Sequence, residues 1–449
     1  MRENCTYGSM RDILRAEGES RSDALAEVRA CPMRGISLYS TMLQRRAGSR
    51  SCKEQKEASL HEPKVEPRGF CSIPVEKRDV NLDRACSVIS CRRTEWTYDM
   101  KRKLAVGWFD NESFVGSCAD HVSRIKEVFF AWPGVTASRP MDDWTPARRS
   151  QIVSDLRWAR DNGIELDAIF NANCYGDIAI SETLADHVTT MLKEMDADGL
   201  FPEHLTTTSP FIATVVRQRF PSVKIRFSIN MDIDSEIALK YVDDLYDEFY
   251  AGRNDHRRLD YVRRMGAWAR EHGKMMGIQA NPGCLRNCPF HQFHNNLHGH
   301  NRMGQSAAGE KFGFSVFRCR TNFERGHYED FLRAIWIRPE DLPLYEPHVG
   351  VVKLATRRHP NPARIVSAYA TCSYDGDLAE IMDPCYTFPM IIDNQRLGAS
   401  PLWPEVRDCR EADNCTNCGK CSALLKACAR ERSDTAAGMT TEFVRFFKG

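Results

Sequence analysis

No stretch of this 449-residue sequence approaches the about 18 apolar residues that a membrane-spanning helix needs, and residues 1–30 lack the apolar core of a signal peptide. Membrane insertion and export are not expected, and the chain is read as soluble and cytoplasmic. Nor is there a surplus of charge, because 62 basic residues face 61 acidic ones and the net charge is +1. Without a whole-protein field, nucleic acid and anionic membranes gain no support as partners. Two familiar hydrolase signatures, the GxSxG elbow and the HExxH helix, do not occur. Cysteine, by contrast, is abundant, with 18 in all. Disulfides are rare in a reducing compartment, so this number points to metal or cluster ligation.

Position decides what the cysteines mean. Residues 1–99 hold six of them (Cys5, Cys31, Cys52, Cys71, Cys86 and Cys91) in an Arg-, Glu- and Ser-rich matrix with no apolar periodicity. This segment reads as a poorly ordered extension, and Met100, just before the first clear strand, suggests an alternative translation start. From residue 104 the character changes. Apolar runs at 104–109, 128–135, 166–172, 204–208, 224–230, 247–250, 274–280 and 349–355 read as strands. Helical patterns lie between most of them, among them 145–162, 181–196, 234–245 and 259–272, and another follows at 362–369. Eight strands alternating with helices predict a parallel (β/α)8 barrel over 100–404, with a doubly wound open sheet as the alternative. Residues 405–449 form a cysteine-rich tail.

In such barrels the C-terminal strand ends form the active face. The third strand ends in Asn171, Asn173 and Cys174, the fifth in Asn230, and the seventh in Asn281 before Cys284 and Cys288. The connection from 285 to 348 is long for a βα loop and carries Cys319. Four cysteines, Cys174, Cys284, Cys288 and Cys319, can therefore converge over the mouth, where four thiolates suit a [4Fe-4S] cluster or a structural zinc. A radical S-adenosylmethionine motif would need a third cysteine at 291, where this chain has His291. His291 and His294 open a dense histidine run able to supply acid and base groups near neutral pH, or simply to form a polar loop. Lys353 and Arg357, on and just beyond the last strand, can hold a carboxylate or phosphate.

The tail repeats two-residue spacings in Cys415, Cys418 and Cys421, with Cys409 and Cys428 on either side. The run begins like a ferredoxin motif, but Leu425 stands where a fourth cysteine is due, so Cys409 or Cys428 has to complete the set. A second iron-sulfur cluster and a zinc knuckle both fit. Cys118, Cys372 and Cys385 are read as ordinary core or surface residues.

The run GCLRNCPFHQFHNN, the later Cys319, the phrase WIRPEDLPLY, and VVKLATR followed by ARIVSAY resemble the collagenase-like peptidase U32 family over about 104–425. The likeness is strongest to its iron-sulfur members, which include proteins of oxygen-independent ubiquinone hydroxylation and RNA base hydroxylation. That resemblance implies a (β/α)8-type barrel with a [4Fe-4S] cluster, falling here on Cys174, Cys284, Cys288 and Cys319. It also implies an oxygen-independent hydroxylase or related redox transfer enzyme, acting on a small or macromolecular substrate; from their positions, Asn171, Asn173, Asn281, His291 and His294 are candidates to orient that substrate, with Lys353 and Arg357 as anion clamps. An electron-transfer or heterodimer partner of the same family is a further expectation. A peptidase, as the family name says, and a non-catalytic electron-transfer or scaffold subunit are the alternatives.

Overall fold

A computed structural model describes residues 102–133, 144–300, 318–383, 388, 390–409 and 415–431. The N-terminal unit, Met1–Ile89, lies outside them, as do the cysteines expected in a poorly ordered extension and the candidate start at Met100. Within the second unit, Ser90–Gly449, eight parallel strands close into a barrel in sequence order, with β1 hydrogen-bonded to β8. The strands are β1 (Leu104–Gly107), β2 (Ile125–Phe130), β3 (Glu165–Phe170), β4 (His204–Thr207), β5 (Lys224–Phe227), β6 (Glu248–Tyr250), β7 (Met275–Gln279) and β8 (Val351–Leu354). Closure excludes the doubly wound sheet.

Local chemistry sets the element ends. The helices Pro146–Asp161, Glu182–Ala197 and Pro210–Arg219 begin after Thr145, Ser181 and Ser209, whose side chains each accept a backbone N–H of the first turn. Each such cap contributes about 1 kcal/mol. Gly163, at φ 67°, ends the first of them in a conformation that costs glycine little. The expected strands overran the real ones because apolar character continues into the loops. The second begins at Ile125 and stops at Phe130, rather than running from 128 to 135, because Lys126 and Glu127 interrupt the apolar pattern while still lying in the sheet. The helix expected over 234–245 shortens to Glu236–Lys240.

The tail joins the barrel unit. Its strand β10 (Ala429–Glu431) pairs antiparallel with β9 (Met390–Ile392). Trp403 stacks on Trp336 at 5.4 Å, and Arg257 lies over the other ring of that pair, Trp336, at 5.6 Å. The segment between β7 and β8 is thereby fixed to the C-terminal residues, and both flank the strand ends.

Candidate active site at the barrel mouth

The lower interior of the barrel is ionic. Arg226 on β5 reaches across to β2, giving Glu127 two hydrogen bonds of 2.5 and 2.8 Å, and donates through Nε to Glu248 at 2.7 Å. It also meets Asp167 at 3.3 Å and the Tyr250 hydroxyl at 3.2 Å. His204 on β4 lies between Glu248, 3.1 Å from Nδ1, and Glu165, 3.0 Å from Nε2. Burial opposes protonation of this imidazole, but the two carboxylates raise it to about 9. Glu127, Glu165 and His204 lie close enough to hold one cation. Each already has a partner in Arg226, Lys126 or a carboxylate, so the cluster reads as a structural ion network.

Higher in the barrel Lys353 on β8 points inward, its Nζ 3.9 Å from the Phe129 ring centroid and 5.2 Å from that of Tyr250. Gly107 makes room for that ring, because a Cβ there would come within 2.6 Å of Phe129. Burial lowers the Lys353 ammonium to about 8, with Asp167 pulling the other way and the Arg357 charge adding to the fall. Burial raises the Asp167 carboxyl, although Arg226 opposes it. The lysine thus shifts down and the carboxyl up, each driven first by burial.

At the rim the candidate residues separate. Asn281 is fully buried and spent on structure, since its amide donates to the Ala355 and Ile381 carbonyls and accepts the Ala355 N–H at 2.7 Å. It clamps β7 to β8 and is not placed to orient a substrate. Asn173 donates to the Asn230 carbonyl at 3.3 Å, and its own oxygen meets no hydrogen-bond partner among the described residues. Asn171, beside it, is 7% exposed, and its carbonyl accepts from Asn230 at 3.4 Å. Arg357 is half-buried just past β8. His294 pairs with His298 one turn on, at 2.8 Å between ring nitrogens.

His291 opens the helix His291–His300, and its Nδ1 lies 2.9 Å from an Asp232 oxygen. Asn295 donates to its Nε2 at 3.2 Å, which assigns the proton to Nδ1 and leaves Nε2 basic. Burial works to raise the Asp232 carboxyl, but the His291 hydrogen bond and the Arg253 charge hold it below its ordinary value. Cys288, Asp232, His291 and Arg253 line one cavity of about 160 Å³. Burial raises the Cys288 thiol, against which the backbone N–H of Phe290 works. Arg253 also donates to Asn230 at 2.5 Å and lies 3.9 Å from the Cys284 sulfur. Asp232 and Arg253 follow β5 and β6 directly, so strand-end position was the signal for both, but the cysteine pattern drew attention elsewhere.

The donor chemistry of the mouth also fits a cluster. Cys174, Cys284 and Cys288 are half-buried thiols, the cationic Arg253 lies 3.9 Å from the Cys284 sulfur and shares a cavity with Cys288, and Gly299 of the helix His291–His300 packs on the Cys174 carbonyl. Cys319 lies on the helix Arg318–Glu324, against the edge of the apolar core.

Over 309 residues the chain is 22% identical to a protein named an uncharacterized protease, MJ1657, of Methanocaldococcus jannaschii, across 67% of this chain and 87% of that one. The solved structure of the U32 peptidase Mk0906 aligns at 14% identity and a TM-score of 0.39, covering 56% of this chain and 91% of the other. No family model matches the sequence. Among the described residues no helix is long and apolar enough to cross a membrane.

Proposed function

We propose that this U32-like chain is a peptidase-type hydrolase whose nucleophile is the Cys288 thiol. One observation carries this reading. Cys288 shares a single cavity with an imidazole whose Nδ1 is held by a carboxylate, the arrangement that a thiol needs because its own pKa is too high. Once the Asn295 amide swings off Nε2 and frees its lone pair, His291 Nε2 takes the thiol proton, and the sulfur attacks the peptide carbonyl carbon. The same proton then passes to the departing amine as the C–N bond breaks, and water, deprotonated by His291, hydrolyses the thioester. Asp232 holds the ring in the required tautomer. Arg253, on the cavity wall, offers positive charge to the developing oxyanion or to a substrate carboxylate. Lys353 and Asp167 supply a second acid and base pair deeper in the barrel.

Hydrolysis of a library of quenched fluorescent peptides by the full chain tests this. Cys288→Ser and His291→Ala should each lower kcat by about a hundredfold or more, and Asp232→Asn should lower it less and shift its pH profile. Undiminished turnover in Cys288→Ser would exclude the thiol mechanism.

A second reading, an oxygen-independent hydroxylase, is favoured by the half-buried thiols of Cys174, Cys284 and Cys288 at the same mouth. Cys174, Cys284, Cys288 and Cys319 would hold a [4Fe-4S] cluster, which when bound supplies a Lewis-acidic, redox-active iron. In that case Asn173 and Lys353 orient the acceptor, and Arg253 offsets the charge of the thiolates. The two readings compete for one thiol. Iron bound at the mouth and lost in Cys288→Ser would favour the hydroxylase; an iron-independent, alkylation-sensitive Cys288 would favour the peptidase.

A further inference from the structure

The C-terminal segment builds a second cysteine site away from the mouth cavity. Cys409, Cys415, Cys418 and Cys421 line one cavity of about 290 Å³, with Arg333 in its wall. The local fold explains why they meet. Cys415–Cys418 is a single helical turn, Gly419 reverses the chain at φ 67°, and the helix Lys420–Cys428 starts at once, bringing Cys421 back toward Cys418. Cys409 arrives from the other side, after the helix Trp403–Arg407.

Both walls are pinned by arginine, Arg257 buried and Arg286 half-buried. Arg257 donates to the Leu332 and Ala334 carbonyls at 2.8 and 2.6 Å and to the Val406 carbonyl at 3.0 Å, and Arg286 donates to the Cys409 carbonyl at 3.0 Å. The backbone around the sulfurs is therefore held in place, and Arg257 and Arg333 bring positive charge to a site of four potential thiolates.

Size separates the candidate occupants. A tetrahedral zinc with bonds of about 2.3 Å draws its four sulfurs to within about 3.8 Å of one another. Among the described residues no three of these sulfurs lie within 4.8 Å, and one ion would leave most of the 290 Å³ empty. A polynuclear centre needs both the wider spacing and the volume. We infer that this cavity is a [4Fe-4S] site held by Cys409, Cys415, Cys418 and Cys421. It backs onto the loop of the mouth cysteines, since the Cys284 carbonyl accepts from Ile335, two residues from Arg333.

The test uses the full chain carrying Cys174→Ser, Cys284→Ser, Cys288→Ser and Cys319→Ser, so that its outcome is independent of what the mouth does. After anaerobic reconstitution with ferrous iron and sulfide, it should hold about four iron and four sulfide per chain, and reduction with dithionite should bleach its colour and produce an EPR signal. Adding Cys418→Ser, an exposed position where folding is not at stake, or Cys421→Ser should remove iron, sulfide and signal together. One zinc per chain, substoichiometric adventitious iron only, or iron retained without the tail cysteines would each overturn the assignment. So would a protein that takes up no metal.

Discussion

The floor and the rim of this barrel are both polar, yet they are built to opposite ends. On the floor, four carboxylates (Glu127, Glu165, Asp167 and Glu248) surround three basic groups (Arg226, His204 and Lys126) beneath the Lys353 ammonium, and every carboxylate is ion-paired, although Asp167 and Glu248 each keep one oxygen without a hydrogen-bond partner among the described residues. At the rim, the Asn173 and Asp232 side chains each keep an oxygen without a hydrogen-bond partner among the described residues, beside a thiol and an oriented imidazole. A buried network whose charges are all ion-paired rigidifies a fold; unspent groups beside a cavity await a substrate.

Substitutions should divide along the same line. The largest loss of stability is expected for Arg226→Met, which leaves Glu127, Asp167 and Glu248 buried without their common cation. Breaking such a network costs about 3–5 kcal/mol or more, and urea denaturation and soluble yield would register it. His204→Gln comes next. Because the folded pKa of His204, about 9, lies above its unfolded value of 6.5, its contribution is complete below about 6.5 and is lost as pH rises through 9. The variant should therefore be less stable than the native chain by roughly 3 kcal/mol at pH 6, with the gap closing by pH 9.5. Denaturation midpoints at the two pH values would check this.

Lys353 runs the other way. Its folded pKa of about 8 lies below the ordinary 10.5, so burial of the charged form costs stability below pH 8, and that cost is relieved between 8 and 10.5. Lys353→Met should flatten this alkaline rise while reducing turnover in the mouth. The smallest change in stability belongs to the rim, where Cys288→Ser and His291→Ala should shift denaturation by about 0.5 kcal/mol or less. A rim variant that unfolds the protein would break the contrast between the two regions.

Most of the barrel was legible in the sequence because each strand is a short apolar run and the helices between them carry caps such as Thr145, Ser181 and Ser209. The ionic floor was not. Lys126, Glu127, Glu165, Asp167 and Arg226 look like interruptions of an apolar pattern, and only closure shows that residues 99 positions apart, Glu127 and Arg226, are partners. The rim was partly legible. Cysteine and histidine spacing drew attention to Cys288 and His291, while Asp232 and Arg253 have no spacing to mark them and become visible only when β5 and β6 end side by side. Asn281 shows the converse error, a polar strand-end residue consumed by backbone carbonyls.

The central claim is that the Cys288 thiol attacks substrate. Acid quenching of the full chain during peptide turnover, followed by mass spectrometry of the Cys288 peptide, tests it most directly. An acyl adduct on Cys288, lost in His291→Ala, is the expected result; turnover with no adduct there, and with the Cys288→Ser chain equally active, would contradict it.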